Sequence, residues 1–173
     1  LTDASLPDGT RALVANGVLT IDGVRMGPLG EGVEGEAPTL GNAEIARPFE
    51  GLKVLDLGVL VVGAEAGRMF ADGGADVVKI ESATFPDGSR QSYLPYGLSA
   101  SFAAGHRNKR SLGLDLRQED GRALFLDLVR EADVLLSNFK PGTLDSLGLD
   151  AATLAATNPR LVMTDSSAFG PTG

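Results

Sequence analysis

The chain has 173 residues, 23 acidic against 15 basic side chains (formal net charge −8 at pH 7), 43% hydrophobic content, one His and no Cys. That length suits one ordinary domain with a core, or one domain with an appendage, while the missing Cys removes disulfides, thiolate metal sites and a cysteine nucleophile. A lone His argues against a metal site or a Ser-His-Asp triad; the acidity disfavours nucleic acid and anionic membranes, and no apolar run approaches the roughly 18 residues of a membrane span, so the expected location is the cytoplasm.

Residues 1–50 hold eight acids and three bases, and so most of the negative charge. "RALVANGVLTIDGVRM" sets Asn16-Gly17 and Asp22-Gly23 between short Val/Leu/Ile runs, and such dipeptides supply the positive φ angles of tight hairpins. A two- or three-stranded meander is expected, followed by a Gly- and acid-rich linker over residues 27–42. The boundary falls near Pro48 to Gly51, dividing the chain into 1–50 and 51–173.

Strands and helices alternate from there. "LKVLDLG" (52–58) reads as a strand buried on both faces of a parallel sheet. "AEAGRMFAD" (64–72) reads as a helix with Ala66, Met69, Phe70 and Gly73 at helical spacing, closed by Gly73-Gly74. "ADVVKIE" is the next strand, then a loop, a helical turn near 99–104 and the strand "SLGLDL". "QEDGRALFLDLVREA" (118–132) puts Leu124, Phe125, Leu128 and Val129 on one helical face, with Glu119 and Asp120 in the first turn where the dipole favours them. "DVLLSNF" is a strand, Thr143 and Asp150 are candidate N-caps of two short helices, and Asn158-Pro159 breaks the chain before "RLVMTDSS". The pattern predicts an α/β fold: a Rossmann-like parallel sheet flanked by helices, preceded by the small β-meander.

In such a sheet, ligands collect outside the carboxyl ends of the strands. Gly58, Gly63 and Gly67 do not match G-x-G-x-x-G, yet a glycine loop opening a helix, with Glu81 ending the next strand, has the layout of a nucleotide-binding unit. A second feature is "HRNKRSLGLDL" (106–116), where Arg107, Lys109 and Arg110 crowd together in an acidic chain.

Four blocks carry a resemblance: "LKVLDLG…AGRMFADGGADVVKIE", "RNKRSLGLDL", "EADVLLSNFKPGTLDSLGLD" and "NPRLVMTDSSAFGPTG". Together, from about Leu52 to Gly173, they resemble the amino-terminal part of the class III CoA-transferases, the group of formyl-CoA transferase, the carnitine and bile-acid CoA-transferases and α-methylacyl-CoA racemase. The resemblance implies coenzyme A or acyl-CoA as substrate, carboxylic acids as acceptors, no metal, and an interlocked homodimer. It implies a CoA site made by Arg107, Asn108, Lys109, Arg110, Asn138, Phe139 and Lys140, with Val61 and Val62 where transferases carry Gln and Ala, and Ser82 where formyl-CoA transferases carry Arg. The reaction it implies is attack of an Asp carboxylate on the thioester, and that Asp belongs to a segment beyond Gly173. The chain, starting at Leu1 and stopping at "AFGPTG", is accordingly expected to be a piece of a longer protein, with no catalytic residue of its own. Within the same family a 2-methylacyl-CoA racemase is the rival reading; a non-catalytic half of a tandem protein and an NAD-dependent enzyme are rivals from other classes. Plainer readings also stand: a solvated loop for Arg107, Lys109 and Arg110, a surface or turn residue for His106, a strand-end ion pair for Glu81, and core packing for Phe139.

Overall fold

The computed structural model describes residues 2–5, 11–15, 18–21, 24–28, 47–90, 99–170 and 172. The chain divides into two compact units, Leu1–Ile45 and Ala46–Gly173.

The first unit contains a four-stranded antiparallel sheet in chain order: β1 (Thr2–Ser5), β2 (Arg11–Ala15), β3 (Val18–Ile21) and β4 (Val24–Pro28). The sequence pattern predicted two or three strands; β1 adds one, and its sequence, TDAS, has no large apolar residue to betray it. Gly27 and Pro28, expected to begin the linker, complete β4. The turns at Asn16-Gly17 and Asp22-Gly23, and the linker from residue 29 onward, lie outside the described residues.

The second unit is a doubly covered parallel sheet. Its elements are β5 (Lys53–Asp56), α1 (Leu60–Asp72), β6 (Asp76–Glu81), a 3₁₀ turn (Gly88–Arg90), α2 (Ala100–Gly105), β7 (Arg110–Gly113), α3 (Glu119–Glu131), β8 (Val134–Ser137), α4 (Thr143–Ser146), α5 (Ala151–Thr157) and β9 (Val162–Asp165). The strand order is β7-β6-β5-β8-β9, every neighbouring pair parallel. The chain moves outward from β5 to β7, then returns to lay β8 against the other side of β5. That reversal puts a topological switch point between the carboxyl ends of β5 and β8.

Strand alternation sends side chains to two different cores. Leu55, Ile80 and Leu135 face a cluster with Phe125 and Val129 of α3 and Leu154 of α5. Val54, Val77, Val134 and Leu136 join Ala71 in a second cluster, with Phe49 and Phe70 packed on it. Asp56 and Lys79 lie two residues beyond Val54 and Val77, so they share that second face, and both are buried.

The face α1 turns inward is Gly63, Ala64, Gly67 and Ala71, whereas Met69, expected to be inside, is 65% exposed. Small residues win because the helix axis lies close over Asp56: a Cβ on Gly67 would collide with its carboxylate. On α3, Phe125 and Val129 are fully buried as their spacing predicts, but Leu124 is exposed at the edge of that face. Asp150 caps α5, its Oδ1 accepting from the Thr153 N–H at 2.8 Å. Thr143 does not cap α4; it is the first helical residue, and Gly142, at φ +79°, makes the preceding left-handed turn.

Candidate functional site

The carboxyl rim of the sheet is built around residues 58–60, the turn joining β5 to α1 across the switch point. Each polar backbone group of this turn that faces inward meets a side chain. Asp56 Oδ1 accepts from Gly58 N–H at 2.7 Å, and the Lys79 ammonium donates to the Gly58 carbonyl. Asn138, just past β8, accepts from Val59 N–H at 2.7 Å through Oδ1 and donates to the Val59 carbonyl at 3.0 Å through Nδ2. Asp87 Oδ1 accepts from Leu60 N–H at 3.1 Å. Leu60 itself sits at φ +56°, a left-handed conformation that costs an ordinary residue about 1–2 kcal/mol. Gly58 and Gly63 allow the turn to close, since a Cβ on Gly58 would lie 2.6 Å from the Gly63 carbonyl carbon.

Beneath this turn the second core becomes ionic. Lys109 Nζ lies 2.7 Å from Asp56 Oδ2, 2.8 Å from the Ala64 carbonyl and 3.2 Å from His106 Nδ1. Lys79 Nζ lies 3.1 Å from Asp87 Oδ2, and His106 Nε2 stands 3.4 Å from the same oxygen. All five side chains are closed to solvent. Burial pushes the Lys109 ammonium below its ordinary value, with Asp56 opposing the shift. Burial would raise the Asp87 carboxyl, but its contacts with His106, Ser89 and Lys79 prevail and hold it far below the usual carboxylate range. Ser89 supports Asp87 twice, from its N–H at 2.9 Å and its hydroxyl at 2.7 Å.

Among the described residues several cavities open on the rim, two of them beside α1 and the 58–60 turn. The larger, about 810 Å³, is walled by Val62, Asn138, Phe139, Lys140, Ser166 and Phe169, among others. The smaller, about 250 Å³, lies over the ends of β6 and β7 with Phe85, Arg117 and Leu147 in its lining. Phe139 contributes to both. The Arg117 guanidinium stacks 3.5 Å above the Phe85 ring at the smaller one.

The expected site residues therefore separate into two groups. Asn138, Phe139, Lys140 and Val62 meet at the larger cavity, and Val61 stands beside it, 74% exposed. Arg107, Asn108, Lys109 and Arg110 do not join them, because each is tied to a carboxylate elsewhere. Arg107 and Asn108 bond Asp72 at the far end of α1, at 2.7 and 2.9 Å. Arg110 forms a two-pronged pair with Asp76, at 2.7 and 2.6 Å, where β6 and β7 begin, which is the opposite rim. Lys109 is inside the protein. Asn138 is at the site, but its amide is engaged by Val59 on both atoms. Glu81 likewise has local partners, Arg90 at 2.7 Å and the Asp87 N–H at 2.6 Å.

The sequence pattern missed Asp56, Lys79 and Asp87. Asp56 and Lys79 carried a usable signal, being charged residues inside otherwise apolar strand runs. Asp87 carried none, since "PDGS" reads as an ordinary turn. Among the described residues no group of three or more His, Asp or Glu is set to hold a metal ion, and no helix is long and apolar enough to cross a membrane.

Comparison with known proteins places this geometry in a family. The profile of CoA-transferase family III matches residues 49–173. The whole chain is 45% identical to 23% of the length of a probable CoA-transferase, Rv1866, of Mycobacterium tuberculosis. Over 73% of the chain it is 44% identical to acetyl-CoA:oxalate CoA-transferase of Acetobacter aceti, covering 33% of that protein. Among solved structures, Rv3272 of M. tuberculosis superposes with a TM-score of 0.66 at 36% identity, over 73% of this chain and 35% of that one. A CAIB/BAIF family protein of Brucella suis gives 0.61 at 43% identity, over 67% and 32%. The chain thus spans about a quarter to a third of the proteins it matches, and the resemblance read from its four sequence blocks holds: it belongs to CoA-transferase family III.

Proposed function

We propose that this chain is the CoA-binding part of an acyl-CoA:carboxylate CoA-transferase whose complete form is a cytoplasmic homodimer. The observation that carries the reading is the larger cavity at the switch point, where Phe139 and Lys140 leave β8 side by side. Phe139 offers a ring face for the carrier, and Lys140 an exposed ammonium for its phosphates in a chain of net charge −8. A charge-assisted contact of this kind contributes about 1.5–3 kcal/mol.

In the complete enzyme an Asp carboxylate outside this chain attacks the thioester carbonyl, forming a mixed anhydride and expelling CoA thiolate. The thiolate then attacks the aspartyl carbonyl, releasing the donor carboxylate and leaving an enzyme-CoA thioester. An acceptor carboxylate attacks that thioester, again freeing the thiolate, and the thiolate takes the new acyl group from the second anhydride. This chain's share is to hold the CoA moiety through all four steps, so that the thiolate stays close to the carbonyl it must re-attack. The Acetobacter relative is an acetyl-CoA:oxalate CoA-transferase, which supports transfer over racemisation.

Calorimetric titration with CoA tests the reading. Saturable binding that weakens about tenfold with Lys140→Ala supports it; no heat at millimolar CoA overturns it. In the complete protein, acetyl-CoA with a panel of carboxylates should give new acyl-CoA products, whereas exchange of the 2-proton of a 2-methylacyl-CoA without product exchange would favour the racemase.

A further inference from the structure

The basic stretch at 106–110 and the turn at 58–60 are connected through the protein interior. A closed circuit runs from Gly58 to Asp56, to Lys109, to His106, to Asp87, to Lys79 and back to the Gly58 carbonyl, each step a polar contact of at most 3.4 Å. Two carboxylates face two ammonium groups, with one imidazole between them. Ionic groups sealed from water are a poor way to gain stability, because an apolar cluster of equal volume does as well or better. They are a good way to specify one arrangement of the backbone they touch, and here they touch the N–H and carbonyl of Gly58 and the N–H of Leu60, the two ends of the turn. Asn138 completes the set from the other side of the switch point.

The turn so held leads directly to Val61 and Val62, the second of which is a wall of the larger cavity. Leu60 shows that the hold is needed: its left-handed backbone is met by Asp87 at the N–H and by the space over Gly88, where a Cβ would lie 2.5 Å from the Leu60 side chain. We infer that Asp87, acting with Lys79, His106, Lys109 and Asp56, is a positioning residue: the buried circuit sets the 58–60 turn and thereby the place of Val62 in the cavity. This rests on the reading of that cavity as the CoA site. Asp87 touches no ligand in this scheme; it acts through the Leu60 N–H.

Two readouts on the full chain test the inference. Amide hydrogen exchange at Leu60, Val61 and Val62 reports the turn without any ligand, and calorimetry with CoA reports the cavity. Asp87→Ala should speed exchange at Leu60 at least tenfold and weaken CoA binding at least tenfold. Asp87→Asn, which keeps an acceptor for Leu60 but loses the charge, should restore part of both, and it also serves should the alanine variant fail to fold. Asp150→Ala, which removes the cap of α5 on another part of the unit, controls for general loss of stability and should change neither. The inference is overturned if Leu60 exchange in the Asp87 variants stays at the wild-type rate, or if it rises while CoA affinity matches that of Asp150→Ala. If the wild-type chain binds no CoA, the CoA reading falls and takes the ligand half of the inference with it; the exchange data, obtained without CoA, identify that case.

Discussion

Lys109 and Asp56 form an ion pair at 2.7 Å, closed to solvent on both sides, although 53 residues separate them in the chain. Gly67 passes directly over this pair, so helix, strand and basic stretch meet at one buried contact. Removing one partner strands the other as an unpaired charge in the core. Lys109→Ala should therefore cost about 3–5 kcal/mol. Arg107→Ala, which breaks a half-exposed pair with Asp72, should cost less than about 1 kcal/mol. Urea unfolding followed by circular dichroism measures both, and equal losses would contradict the burial of Lys109.

Gly67→Ala is a substitution that helix propensity alone favours by about 1 kcal/mol. Here the added methyl group meets the Asp56 carboxylate and Lies 2.8 Å from Lys109 Nζ. Overpacking of this kind costs about 1–3 kcal/mol, so the variant should melt below the wild type despite the better helix former. A raised melting temperature would mean that α1 rides higher over the sheet.

Acid should weaken the second unit through Asp87. Its folded-state carboxyl lies below the unfolded value of 3.8, so its contribution is fully present above that pH range and is lost as pH falls through and below it. Melting temperatures between about pH 2 and 7 should fall on the acid side, and the fall should be shallower for Asp87→Asn, which has no proton to gain. An identical acid limb in both proteins would assign the effect to other carboxylates.

Lys140 separates binding from folding. Its residue is exposed at the cavity edge, so Lys140→Ala should leave the unfolding midpoint within about 0.5 kcal/mol of wild type. CoA affinity should fall about tenfold, and the salt dependence of binding should weaken with it. A stability loss without a binding loss would remove Lys140 from the site.

The parallel sheet was legible because β5 and β8 are apolar runs buried on both faces, a pattern that needs helices above and below. The inner face of α1 was not, because periodicity counts large side chains and so selected Met69 and Phe70, while the contact with Asp56 demands glycine. Asn138, Phe139 and Lys140 were found at the rim because strand ends are where connections converge. The basic stretch lies away from that rim: nothing local in "HRNKR" reveals that Arg107 pairs with Asp72 and Arg110 with Asp76, more than thirty residues earlier. Pairings of that kind depend on the crossover through α2, which only the folded chain defines.

The bonds that hold residues 58–60 come from side chains rooted in β5, β6, the loop after β6 and the end of β8, and none of them comes from Val61 or Val62. Apart from Asn138, which does both, frame and lining are thus encoded by different residues. Sequence drift at position 62 can reshape the cavity wall with the main chain left where it is.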